Sequence, residues 1–146
     1  MAPRRTLLTL LAVLGLALGL SLGLAGCGSD VSPTSEAADT SYEHVDAQTF
    51  ADRIAERDVV LLDVRTPEEY AAGHLRGAVN LPLGADDFAD RVADLDDDAT
   101  YAVYCRSGVR SQQAMEAMRG AGIEAVYDLD GGITAWTESG RPTVRD

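Results

Sequence analysis

The chain has 146 residues, and its 24 acidic residues against 12 basic ones give a formal net charge of −12. The length suits one domain with a modest core. So acidic a surface argues against nucleic-acid binding and against electrostatic docking on anionic lipid. An anionic ligand would therefore need arginines placed locally to receive it.

The first 26 residues have the pattern of an export signal. Arg4 and Arg5 precede a long uncharged run of leucine, alanine and glycine. The run ends in Leu24-Ala25-Gly26-Cys27, which resembles the lipobox of bacterial lipoproteins. That resemblance implies cleavage before Cys27 and attachment of a diacylglyceryl group to its sulfur, and two acyl chains make a stable anchor. We predict a signal peptide over 1–26 and an extracytoplasmic, lipid-anchored protein at the cell membrane.

An uncleaved transmembrane helix is the alternative, because the apolar run is about as long as a short span. Gly15, Gly19 and Gly23 disfavour it, as does the position of Cys27. The two arginines also leave open whether export uses the general or the twin-arginine route. Removing residues 1–26, which hold two arginines and no acid, makes the net charge −14. Residues 27–41 carry the lipidated cysteine and then a small, polar segment, which predicts a flexible tether.

Residues 42–146 form the predicted domain, in which strands alternate with helices. Strands are expected over 42–45, 59–62, 78–81, 101–104 and 123–129. Helices are expected after Asp46 and Thr66 as N-caps, and over 86–95, 112–119 and 133–138. This alternation with short connections indicates an α/β fold with a mainly parallel central sheet flanked by helices. Ligands of such sheets bind at the carboxyl ends of the strands, where Asp63, Arg65 and Cys105 fall.

Cys105 lies between a strand and the start of a helix. Backbone N–H groups and the positive end of a helix dipole favour the thiolate, which is the nucleophilic form of cysteine. With Cys27 lipidated, Cys105 is the one remaining thiol, so an internal disulfide and a thioredoxin-like dithiol are excluded. A buried structural cysteine is the alternative. The polar loop after Cys105 argues against it, and so does an unpaired cysteine in an exported chain.

Residues 42–146 resemble a single-domain rhodanese, a sulfurtransferase. Four segments carry this resemblance in the family's order. They run from Leu62 to Tyr70, from Gly73 to Pro82, from Tyr104 to Ser111 and from Leu129 to Trp136.

The resemblance implies that Cys105 is the catalytic nucleophile and forms a persulfide. A small anionic sulfur donor such as thiosulfate supplies the sulfur, and a thiol or cyanide accepts it. Neither a cofactor nor a metal is required, and His44 and His74 are too isolated to form a metal site. The predicted substrate-binding residues are those that follow the cysteine in the loop, namely Arg106, Ser107, Gly108, Val109 and Arg110. Asp63 and Arg65 are expected to support this loop, and Gly131 and Gly132 to let the backbone pass close to it.

Two further functions are weighed against this one. A related phosphatase or arsenate reductase would need a longer loop, with five residues between the cysteine and the arginine, whereas Ser111 occupies that place here. A sulfur-carrier, sensing or binding module for a protein partner stays open as the alternative, and the sequence names no partner.

Overall fold

The computed structural model describes residues 43–145, so the predicted signal peptide, Cys27 and the tether lie outside the described residues. Strands and helices alternate along the described chain. In order they are β1 (Glu43–Val45), α1 (Ala47–Ile54), β2 (Val59–Asp63), α2 (Pro67–Ala72), β3 (Val79–Asn80), α3 (Phe88–Ala93), β4 (Thr100–Tyr104), α4 (Val109–Gly120), β5 (Val126–Leu129) and α5 (Gly132–Glu138). No helix among these residues is long and apolar enough to cross a membrane.

The five strands form one sheet in the order β1-β5-β4-β2-β3, and every neighbouring pair is parallel. The predicted α/β fold with a parallel sheet is therefore confirmed. Because β4 occupies the centre, its carboxyl end has a strand on each side. Tyr104 lies beside Asp63 of β2, and Val103 lies beside Asp128 of β5. The central position of β4 brings Cys105 to the middle of the edge where ligands of parallel sheets bind.

The sheet separates two apolar cores. Successive side chains of β4 point to opposite faces of the sheet, so they lie alternately in one core and in the other. Tyr101, Val103 and Cys105 pack with α3 and α4, whereas Ala102 and Tyr104 pack with α1 and α5. The side chain of Cys105 therefore lies on the α4 face, beneath the loop that leads into that helix.

Local signals determine where the first two helices begin. The Asp46 carboxylate accepts a hydrogen bond from the Thr49 N–H at 2.7 Å, which caps α1 as predicted. Thr66 caps α2 through a capping box, in which the hydroxyl accepts from the Glu69 N–H and the Glu69 carboxylate accepts from the Thr66 N–H. Helix α2 ends at Gly73, which is its C-cap residue.

Three elements differ from the predicted bounds by two or more residues at one end or both. Helix α4 begins at Val109, three residues before the expected start, because Gly108 takes the N-cap position with a φ of +97°. Strand β5 begins at Val126. Ile123 is buried instead by the turn after α4, where its N–H donates to the Met118 carbonyl. Helix α3 covers only the central part of the predicted 86–95 segment. Sequence patterns locate apolar residues better than they locate the ends of elements.

Candidate active site

Cys105 directly follows β4 and is fully buried, and it forms no disulfide within residues 43–145. Its Sγ accepts a hydrogen bond from the Gly108 N–H at 3.1 Å. The loop therefore curls back over the sulfur, and its first N–H contact stabilises negative charge on that atom. The twelve-residue helix α4 follows directly, so the positive end of its dipole also lies at this loop.

The same loop holds several backbone donors without a protein partner. The N–H groups of Arg106, Ser107, Val109 and Arg110 donate to no acceptor in the part of the chain that the structure describes. Convergent unpaired N–H groups at a helix N-terminus bind anions. The structure thus brings the predicted loop residues together around Cys105, as a cradle suited to a small anion or to a charged terminal sulfur.

The N-terminus of α5 braces the opposite side of the loop. The Ile133 N–H donates to the Cys105 carbonyl at 2.9 Å, and the Thr134 N–H and hydroxyl donate to the Arg106 carbonyl at 3.2 and 2.9 Å. Only glycine fits at residue 132, because a Cβ there would lie 2.5 Å from the Cys105 oxygen. The expected close approach of the double glycine to the loop is observed.

Glu69 holds the side chain of Arg110, the second of the two loop arginines. Its two terminal nitrogens donate to the Glu69 carboxylate at 2.7 and 2.9 Å. This pairing, with a smaller contribution from Cys105, raises the pKa of Arg110. The Arg110 hydrogen bonds lower the pKa of Glu69 to about 2. Sequence reasoning missed this role of Glu69, because Arg110 lies 41 residues further along the chain.

Asp63 and Arg65 form a buried ion pair at the end of β2. Arg65 donates to both carboxylate oxygens from its side chain, at 2.5 to 3.0 Å, and also from its backbone N–H. The guanidinium lies 5.6 Å from the centroid of the Tyr104 ring and donates to the Gly73 carbonyl. The pair therefore stands beside the residue that precedes Cys105, where a loop-supporting role is feasible. That role stays a prediction.

Two surface hollows adjoin the loop that follows Cys105. One has a volume of about 430 Å³ and is the more polar of the two. Its lining includes Arg65, Glu69, Arg106, Thr134 and Thr137. The other, of about 570 Å³, is mainly apolar and is lined by Val64, Pro82, Leu83, Ala85 and Arg110, among others. Arg106 is exposed and points to the polar hollow, whereas Arg110 borders the apolar one.

Neither histidine lies in this site. His74 is buried against α2, with its ring stacked on Tyr70 at 3.8 Å and Nδ1 3.1 Å from the Tyr70 carbonyl. His44 contacts Asp128 of β5, the strand that borders β4 on the side away from β2. Trp136 packs in the core, on the face of the sheet covered by α1 and α5.

Comparison with known proteins places this geometry in a family. The rhodanese-like domain family model matches residues 46–139. A sulfurtransferase of Allochromatium vinosum is 38% identical over 101 residues, an alignment that covers 68% of this chain and 92% of that protein. Thiosulfate sulfurtransferase GlpE of Shewanella oneidensis is 30% identical over 100 residues, with 68% and 97% covered.

The solved structures agree with the sequence relatives. A rhodanese-related protein of Thermoplasma volcanium superposes with a TM-score of 0.64 at 31% identity, covering 72% of this chain and all of the other. The domain also occurs in larger proteins. At 40% identity over 111 residues, the alignment covers 73% of this chain but only 48% of an HTH-type transcriptional regulator of Mycobacterium tuberculosis. With the cysteine cradle, the fold and the matched segment in agreement, the chain belongs to the rhodanese-like domain family.

Proposed function

We propose that this protein is a sulfurtransferase that carries sulfane sulfur on Cys105. One observation supports this most directly: the Cys105 sulfur lies under a loop whose N–H groups point at it or have no protein acceptor. Such a cradle favours the thiolate before the reaction and a charged persulfide after it. The relatives named sulfurtransferase and thiosulfate sulfurtransferase support the same chemistry.

The reaction has two half-reactions. In the first, the Cys105 thiolate attacks the outer sulfur of thiosulfate, a new S–S bond forms, and sulfite leaves with the electron pair of the old bond. In the second, cyanide or a thiolate attacks the terminal sulfur of the persulfide, and the Cys105 thiolate is regenerated. Charge is conserved in both steps, and no proton or external oxidant is needed. Such covalent catalysis predicts ping-pong kinetics.

Charge explains why the donor would bind here on an acidic protein. The formal net charge of the whole chain is −12, so a dianionic donor is repelled over most of the surface. The unpaired N–H groups, the α4 dipole and the side chains of Arg106 and Arg110 create a local positive region around the thiol. Glu69 holds the Arg110 guanidinium in place beside the loop, whereas Arg106 is exposed at the polar hollow.

Intact-mass measurement tests the proposal. The full chain, purified in detergent, should gain the mass of one sulfur atom on incubation with thiosulfate and lose it on addition of cyanide. The Cys105→Ser variant should show neither change while keeping its far-ultraviolet circular dichroism. A sulfur gain of equal size on Cys105→Ser, or no gain on the parent protein, would overturn the assignment of Cys105.

A sulfur carrier or binding module for a protein partner is the second candidate. The occurrence of the domain within a transcriptional regulator is compatible with such a role. Steady-state formation of thiocyanate distinguishes the two. A persulfide that forms once but turns over very slowly would favour the carrier.

We further propose that a lipid on Cys27 tethers the domain outside the cytoplasm, with residues 28–41 as the linker. The lipobox-like sequence and the polar composition of the linker support this. Labelling cells with a fatty-acid analogue and fractionating them tests the proposal. Cys27→Ala should abolish the label and impair processing or membrane retention. Equal labelling of this variant would contradict the lipid anchor, and an unprocessed parent chain held in the membrane would favour the transmembrane alternative.

A further inference from the structure

A second buried carboxylate lies on the other side of the cysteine strand. Asp128 of β5 has no exposed surface and faces α4. Its Oδ1 lies 2.5 Å from the His44 Nδ1, and its Oδ2 lies 2.6 Å from the Ser111 hydroxyl. Parallel pairing of β1 with β5 places His44 directly beside Asp128. These are the only side-chain partners of Asp128 within residues 43–145.

The contacts continue to the catalytic loop. The Ser111 hydroxyl is buried and lies 2.7 Å from the Gly108 carbonyl as well as 2.6 Å from Asp128. Gly108 is the residue whose N–H donates to the Cys105 sulfur. A row of short polar contacts therefore joins His44, whose side chain is 38% exposed, to the residue that binds the thiol.

Counting protons in this row shows which groups must carry them. Its three contacts, from His44 to Asp128, from Asp128 to Ser111 and from Ser111 to Gly108, need one proton each. Ser111 has a single hydroxyl proton, and the Gly108 carbonyl has none. If Asp128 were an anion, one of the two Ser111 contacts would bring two oxygens together at 2.6 to 2.7 Å with no proton between them. A buried contact of that kind is costly.

We propose that Asp128 carries a proton on Oδ2 and acts as a positioning residue for the Cys105 loop. Asp128 donates to Ser111, Ser111 donates to the Gly108 carbonyl, and a neutral His44 donates its Nδ1–H to Asp128. This arrangement satisfies all three contacts. A His44 imidazolium beside an Asp128 carboxylate would hold the same two protons. The proposed arrangement differs from that ion pair only in the place of one proton, which lies on the Asp128 carboxyl group instead of on the imidazole Nε2.

The contrast with Asp63 supports the assignment. Asp63 is equally buried, but it accepts four hydrogen bonds from Arg65, a permanent cation, and is therefore held as an anion. Among the described residues, Asp128 meets no arginine and no backbone N–H. Strand β2 thus supports β4 with an ion pair, and β5 supports it with a row of hydrogen bonds between neutral groups.

Nitrogen NMR of the histidine-labelled full chain tests where the proton lies, independently of any activity. His44→Gln identifies the His44 signals, since His74 is the other histidine of the chain. Near neutral pH, His44 should show a neutral ring protonated on Nδ1. An imidazolium at His44, or a neutral ring protonated on Nε2, would overturn the proposal. Because this measurement needs no substrate, its failure is distinct from failure of the sulfurtransferase assignment.

Substitutions test the positioning role, which rests on the proposed function. Asparagine has the shape of a protonated aspartic acid, so Asp128→Asn can donate to Ser111 and accept from His44. It should keep kcat/KM for thiosulfate within about threefold. Asp128→Ala and Ser111→Ala should each lower it at least about tenfold, as expected for one lost hydrogen bond. They should also lower the ultraviolet thiolate absorbance of Cys105, which a merely structural role would not change in a folded protein.

Asp130→Asn is the matched control, because it removes an exposed carboxylate two residues further along the chain, just after β5. It should leave both the kinetics and the thiolate absorbance unchanged. A folded Asp128→Ala with the parent's thiolate absorbance, or an Asp128→Asn as impaired as Asp128→Ala, would refute the positioning role.

Discussion

Gly132→Ala tests whether α5 holds the Cys105 loop in place. Residue 132 has a φ of +59°, which costs an L-residue about 1–2 kcal/mol. The added Cβ would lie 2.5 Å from the Cys105 oxygen and 2.6 Å from both the carbonyl carbon and the oxygen of Arg106. All three are backbone atoms, so no side chain can rotate away. Restoring an ordinary carbon–oxygen contact requires the two segments to separate by roughly 1 Å.

That separation breaks contacts that define the site. The hydrogen bonds from the Ile133 and Thr134 N–H groups to the loop would be lost, at about 1 kcal/mol each. Together with the φ cost, we expect a loss of about 3 kcal/mol in the free energy of unfolding. Because the displaced atoms belong to Cys105 itself, an error of about 1 Å should also lower kcat/KM for sulfur transfer by about a hundredfold.

Gly140→Ala separates the two contributions. Gly140 also has a positive φ, of +79°, but a Cβ there would meet nothing within 4 Å. It should lose only about 1 kcal/mol, with sulfur transfer unchanged. Urea unfolding gives the stabilities, and thiocyanate formation gives the activities. If Gly132→Ala matched Gly140→Ala in both measurements, the close packing of α5 on the loop would not restrain the site.

Three further predictions concern charged and capping residues near the loop. Arg110→Ala should lower kcat/KM for thiosulfate by about ten- to a hundredfold, and should lower kcat/KM for an uncharged donor by less. Because Arg106 is exposed, Arg106→Ala should have a smaller effect on thiosulfate. Equal losses for both donors in Arg110→Ala would mean that Arg110 only braces the loop. Glu69→Gln should lose about 1 kcal/mol of stability at neutral pH, since the ion pair is partly exposed. The pKa of Glu69 is depressed, so the stabilisation by this ion pair is present above pH 4.5 and is lost as the pH falls towards 2. Urea titrations at several pH values measure it. If the free energies of unfolding of the parent and Glu69→Gln still differed by the same amount at the acid end, the prediction would be contradicted. Thr66→Ala should cost about 1 kcal/mol by removing the cap of α2, and Thr66→Ser should cost much less in the same titrations.

The sequence by itself determined the features that depend on neighbours along the chain. The caps at Asp46 and Thr66 are local, because each involves residues three apart. The continuous apolar run of β2 and the alternation of strands and helices predicted a parallel sheet. Since ligands bind at the carboxyl ends of parallel strands, a site at Cys105 and the loop after it could be predicted. Short-range hydrogen bonding and side-chain periodicity are sufficient for these conclusions.

Only the tertiary structure decided which distant groups meet. Glu69 and Arg110 are 41 residues apart, and His44 and Asp128 are 84 apart. Their contacts depend on strand order and register, which no local pattern specifies. The same holds for Gly132, whose fit against the Cys105 carbonyl arises where α5 returns to the loop. A local pattern shows which residue types are present, whereas long-range packing determines which of them share a hydrogen bond and which are left to bind a substrate.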